Sequence, residues 1–221
     1  METKIQFQKN ATILTADGQS VGSLNRFVVN PKTMELSDIV VRTSTLFNHE
    51  RVIPTRYVAE ASEDQIILQE DANDVDNFPN FEEEHIVDTE FDKGSSISGD
   101  IIPPPVYGSP LLGMPLQTST DKKYETRIDQ NIPEGTVAMQ EDAMVISADE
   151  KRVGMVESVI ADMPDEQITH FLVSQGVFNK TMKLIPVEWI KSVNEKQVNL
   201  QVNKVSVDAL NDTSESDVEA R

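Results

Sequence analysis

A shift of 132 residues lays residues 13–70 of this chain over residues 145–202 without a gap, and no other sequence feature constrains the fold as tightly. Ala16-Asp17 falls on Ala148-Asp149, Val21-Gly22 on Val153-Gly154, Val41 on Val173, Ile53-Pro54 on Ile185-Pro186, and Leu68-Gln69 on Leu200-Gln201. Apolar character is kept elsewhere, with Leu24 on Val156, Val28 on Ile160, Val40 on Leu172, Val58 on Ile190 and Ile66 on Val198. Such a chain builds one small module twice, and 221 residues with 38% hydrophobic content suit two modest cores better than one large enzyme fold.

Within each copy the apolar residues alternate in short runs bounded by turn residues, which predicts strands rather than helices. In the first copy these are 11–15, 21–29, 35–42, 51–53 and 65–69, with a tight turn at Ala16-Asp17-Gly18, a turn at Asn30-Pro31 and a loop over 43–50. The second copy repeats the order over 143–202. Gly22 and Gly154 lie inside strands, where glycine weakens pairing unless the backbone bends or approaches a neighbour closely; a bulge that curls the sheet accounts for both. Pro54 and Pro186 each start one helical turn, which puts Tyr57 and Trp189 at equivalent places. Short strands need closure to protect their edges, and a small barrel capped by that turn provides it.

This succession is an Asp-Gly or Asp-Glu turn, Val-Gly opening a long strand, a turn, an Ile/Val/Leu strand, and Ile-Pro followed by an aromatic residue. It resembles the PRC-barrel family, and the resemblance covers both repeats. It implies a compact barrel of about six strands, of the kind found in the cytoplasmic part of the photosynthetic reaction-centre H subunit and in a ribosome maturation factor. In both settings the module docks and tunes its surroundings without catalytic residues of its own, so the resemblance supplies none to map. The fold expected is mainly β: two PRC-like barrels at 1–70 and 131–207, a long irregular acidic and proline-rich linker at 71–130, and a disordered acidic tail at 208–221.

The net charge of −19 argues against direct nucleic-acid binding, which needs clustered Lys and Arg. By segment, residues 1–70 hold 9 acidic and 7 basic groups, residues 71–130 hold 13 and 4, and residues 131–221 hold 16 and 8, so much of the excess lies in linker and tail. The chain has no cysteine, which excludes disulfides, thiolate metal sites and a cysteine nucleophile. His49, His85 and His170 lack the spacing of a metal or nucleophile motif. Gly94 and Gly99 have phosphate-loop spacing, but Asp100 stands where the lysine belongs. Asp71, Asn73, Asp74, Asp76 and Glu82 suggest a calcium loop, yet its glycine and fifth-ligand positions are Asp76 and Val75. Glu82-Glu83-Glu84 reads as a solvated run. No catalytic, cofactor or metal site is therefore expected.

The linker prolines Pro79, Pro103, Pro104, Pro105, Pro110 and Pro115 oppose regular structure, while Phe78, Phe81, Ile86, Val87 and Phe91 predict that 77–91 packs on the first barrel. The triple proline reads as polyproline II, a spacer or a ligand for an aromatic groove. Leu46-Phe47 and Val177-Phe178 place large apolar groups in matching loops and are the candidate partner contacts, or else core plugs. The opening residues lack a signal-peptide pattern and no apolar run approaches the roughly 20 residues of a membrane span, so the expected location is the cytoplasm. The function expected is a non-enzymatic adaptor or regulator docking on a protein partner, a membrane-associated complex included. Against it stand a ribosome-maturation accessory role and a small hydrolase between the barrels.

Overall fold

The alternating patterns form strands in both repeats of the computed structural model, which describes residues 3–43, 49–62, 64–72, 74–88, 124–163, 165–176 and 180–213. The first repeat contains β1 (Thr3–Gln8), β2 (Thr12–Leu14), β3 (Ser20–Val29), β4 (Leu36–Thr43), β5 (Glu50–Pro54), β6 (Val58–Ala61) and β7 (Gln65–Leu68). Next come β8 (Glu82–Asp88) and β9 (Tyr124–Gln130), which pair as a two-stranded sheet. The second repeat contains β10 (Val137–Gln140), β11 (Met144–Ile146), β12 (Arg152–Met163), β13 (Gln167–Gln175), β14 (Thr181–Pro186), β15 (Ile190–Val193) and β16 (Gln197–Leu200), then the helix α1 (Lys204–Asp208). Pro54 and Pro186 each cap a one-turn 3-10 helix, Thr55–Tyr57 and Val187–Trp189.

The two repeats have the same topology. One sheet runs β5-β4-β3-β2-β7-β6 and the other β14-β13-β12-β11-β16-β15, each an open hydrogen-bonded path, with one parallel contact (β2 with β7, β11 with β16) among antiparallel ones. The register shifts recur under the same offset: between Ile13 and Leu14 as between Val145 and Ile146, between Leu24 and Arg26 as between Val156 and Ser158, and between Val58 and Glu60 as between Ile190 and Ser192. Bulges of this kind increase local twist and bend a sheet.

The repeats are not two beads on a string, because β1 and β10, which the sequence left unassigned, are exchanged. β1 opens the first repeat but pairs with β12 of the second, with Phe7 opposite Val159; β10 opens the second but pairs with β3 of the first, with Met139 opposite Phe27. Where the repeats meet again, Glu35 bridges its own counterpart Gln167. The Leu36 and Ile168 amides donate to the Glu166 and Met34 carbonyls at 2.8 and 2.9 Å, a pair related by the same offset. One hydrophobic cluster runs through both repeats, including Phe7, Phe27, Ile39, Met139, Phe171 and Ile185. Residues 1–82 and 130–221 accordingly form one compact unit, and 83–129 a second.

A smaller core covers the other face of the first sheet, where Val28, Val40, Val52 and Ala138 enclose Phe81. Phe78 packs edge-on against Tyr57 at 5.3 Å between ring centroids. The N-terminal part of the stretch expected to pack on the first barrel therefore does so; Phe91 lies outside the described residues, as does the triple proline. Residues 208–213, read from sequence as the start of a disordered tail, are held in place: the Asp208 and Leu210 carbonyls accept from Lys183, and Asp212 bridges it.

Candidate functional site

Each residue that marks the repeat has a structural role in the fold. A Cβ at Gly22 would lie 2.2 Å from the Arg42 carbonyl oxygen, and one at Gly154 would lie 2.0 Å from that of Ser174. The glycines thus admit the neighbouring strand, and the bulge expected at them lies directly beside each: Ile13 pairs with Gly22 but Leu14 with Ser20, and Val145 with Gly154 but Ile146 with Arg152. Tyr57 and Trp189 rest half-buried on the shared core. Their carbonyls accept the Gln69 and Gln201 amides at 2.8 and 2.9 Å, while those two side chains donate to the Arg56 and Glu188 carbonyls.

The candidate contact residues Leu46, Phe47, Val177 and Phe178 lie outside the described residues, as do Asn73, Gly94, Gly99 and Asp100. The root of the first loop is closed by the Thr43 amide and hydroxyl, which both donate to the His49 carbonyl. In the acidic run Asp74 accepts from the Asn77 side chain at 2.8 Å and Asp76 faces Arg51 at 3.5 Å. Among the described residues no group of three or more His, Asp or Glu side chains is placed to hold a metal ion. Glu82 and Glu84 are exposed.

A pair of basic anchors escaped the sequence reading. Arg51 donates to the Phe78 carbonyl at 2.9 Å, and its equivalent Lys183 donates to the Asp208 and Leu210 carbonyls and pairs with Asp212 at 2.8 Å. Each cation, largely withdrawn from solvent, ties the segment after the last strand back onto β5 or β14. The signal was present: the same offset, continued past residue 70, places Asp76 on Asp208 and Asn80 on Asp212. The Asp turns are likewise duplicated. Thr15 and Ser147 donate to Asp17 and Asp149 and to the carbonyls four residues on. Hydrogen bonds from Ser147, Lys151 and the Lys204 amide hold the Asp149 carboxyl well below the usual range.

Other charges are not duplicated. Lys9 lies 2.5 Å from the buried Glu157, whose counterpart in the first repeat is Asn25. Asn25 instead links Arg42 and Glu50. Glu141, the counterpart of Lys9, accepts the Asn10 amide at 3.2 Å; burial raises its pKa, against the pull of that hydrogen bond and of Arg42 and Lys9. Asp38 and His170 are also counterparts. Burial raises the first, with Ser37 and Arg56 opposing, and lowers the second, helped by Lys4 and opposed by Glu188 and Asp162.

The duplicated polar groups, Arg51 and Lys183, Thr15 and Ser147, Gln69 and Gln201, therefore hold backbone around one β core. No curated protein matches the chain. The family model described as PRC-barrel domain matches residues 141–213. That span opens at Glu141, directly after β10, and closes at Thr213, just past the Asp212 anchor, so the match to the PRC-barrel domain falls on the second repeat.

Proposed function

We propose that the chain is a non-enzymatic docking or regulatory protein of the cytoplasm, in which two PRC-barrel modules act as one body to hold a protein partner, a membrane-associated complex among the candidates. The observation that carries this reading is where the buried polar side chains of the matched domain are spent. Lys183 is tied to backbone carbonyls and Asp212, Ser147 to Asp149 and a carbonyl, Ser174 to a carbonyl and Glu157 to Lys9, all structural duties, and among the described residues only the buried Ser158 hydroxyl makes no hydrogen bond. The first repeat is read as the second module of the tandem, supported by its identical strand order, bulges and anchors. Among the described residues no helix is long and apolar enough to cross a membrane, so attachment to a membrane complex is read as peripheral.

The contact surface proposed is the matching pair of loops that carry Leu46, Phe47, Val177 and Phe178. Large apolar groups in loops at matching places of the sequence repeat offer two related contacts, and paired contacts raise avidity. Affinity purification of the tagged full chain from its native cells, with ribosomal, membrane and soluble pools separated, tests the reading. A partner recovered with the native chain and lost from a Phe47→Ser/Phe178→Ser variant that keeps the native unfolding midpoint supports it. A chain that recovers no specific partner, or recovers it equally with both loops altered, counts against it.

A further inference from the structure

The exchange of β1 and β10 has a simple alternative that the sequence has to reject. Along one edge of β3 lie two strands in line: β2 opposite Ser20 to Ser23, and β10 opposite Arg26 to Val29. β12 shows the same arrangement with β11 and β1. If residues 3–14 ran straight, β1 would fill the place of β10 beside β3, and β10 would fill that of β1 beside β12. The apolar pattern does not forbid this, because Ile5 and Phe7 correspond to Val137 and Met139. What separates the two pairings is the turn between the strands, where Asn10 adopts φ 58° and the chain leaves its own sheet for the other.

We propose that Lys9 and Glu141, at the two turns, are the specificity residues that select the crossed pairing. In the crossed form Lys9 meets the buried Glu157 at 2.5 Å, and Glu141 sits in the field of Arg42 and takes the Asn10 amide. Uncrossed, Lys9 falls beside Arg42, and Glu141 falls beside Glu157, two carboxylates in a dry place. The close Lys9–Glu157 pair is lost and Glu157 gains a like charge, which Lys180 at 3.8 Å only softens, while Lys9 gains a slot whose carboxylate, Glu50, is already paired with Arg42 at 3.9 Å. The crossed form is favoured by its own contacts, and its competitor is penalised by like charges, which is how closely similar strands are told apart. The turns also lie within each other's field, so exchanging the two charges keeps the Lys9–Glu141 attraction and inverts only the attractions to the slots.

The absence of cysteine permits a direct test in the full chain. Lys4 stands opposite Asp162 in the crossed register, and by the repeat offset would stand opposite Asn30 in the uncrossed one. A Lys4→Cys/Asp162→Cys chain reports crossing, and a Lys4→Cys/Asn30→Cys chain reports its absence, each read as the intramolecular disulfide by peptide mass mapping. With native charges the first cross-link forms and the second does not. In the Lys9→Glu/Glu141→Lys background the ratio of crossed to uncrossed product should fall by at least about tenfold, corresponding to about 1.4 kcal/mol. An unchanged ratio overturns the proposal. Should the double reversal fail to fold, the neutral Lys9→Gln/Glu141→Gln chain decides. Detectable uncrossed product supports the role of the charges, and its absence shows that the turns alone impose the crossing.

Discussion

Gly22→Ala and Gly154→Ala add one methyl group each, at places where the added carbon would lie 2.2 and 2.0 Å from a carbonyl oxygen of the neighbouring strand. Relief to van der Waals contact requires that strand to retreat by about 1 Å, enough to carry a ladder hydrogen bond past its useful range. Overpacking alone costs about 1–3 kcal/mol, and each weakened ladder bond adds about 1 kcal/mol, so each variant should lose roughly 3 kcal/mol. Against a typical stability of about 5–15 kcal/mol, that moves the urea midpoint down by about 1 M or more. Gly18 and Gly135 are the controls: an added Cβ meets nothing within 4 Å, and only φ values of +82° and +83° resist it. Gly18→Ala and Gly135→Ala should each cost about 1 kcal/mol. Equal losses in the two groups would refute the close-approach account and leave backbone strain as the explanation.

Glu150 occupies the position of Gly18 with φ 59°, so Glu150→Gly should raise stability by up to about 1 kcal/mol in denaturant titration. Lys183→Met should destabilise by about 2–3 kcal/mol, whereas Lys183→Arg should be nearly neutral, because Arg51 performs the equivalent task. Asp38 is pushed up by burial, so it favours the folded state fully below its ordinary value of 3.8, and that contribution is lost as pH rises through the folded value; Asp38→Asn should therefore gain stability at neutral pH and not at pH 3. His170 is pushed down by burial, so stability held above its ordinary 6.5 is lost as pH falls through the folded value, and His170→Gln should flatten that limb of the pH profile.

The sequence showed the repeat, its β character, the strands that carry it and the turn after each proline, because alternation, Gly and Pro act locally and recur at one offset. It did not show the exchange. β1 and β10 are short and begin outside the stretch where the two copies align well, and nothing local to Ile5 or Val137 says which sheet receives it. The anchors Arg51 and Lys183 were missed for a related reason: a cation in a strand reads as surface until the segment that supplies its carbonyls is folded over it. The tail was cut at Asp208 on composition, yet Asp208, Leu210 and Asp212 are tied to Lys183 of β14 and follow the same repeat.

Exchange and a shared core together change what stability means for this chain. With Phe7 embedded among second-repeat residues and Met139 among first-repeat ones, neither module can open without exposing part of the other's core. Unfolding should therefore be a single transition, seen alike by Trp189 fluorescence, which reports the second repeat, and by far-ultraviolet circular dichroism, which reports both. Gly22→Ala, far from Trp189 in sequence, should lower the fluorescence midpoint as much as Gly154→Ala does. Two resolved transitions, with each glycine variant moving only its own, would mean that the crossed strands do not couple the repeats.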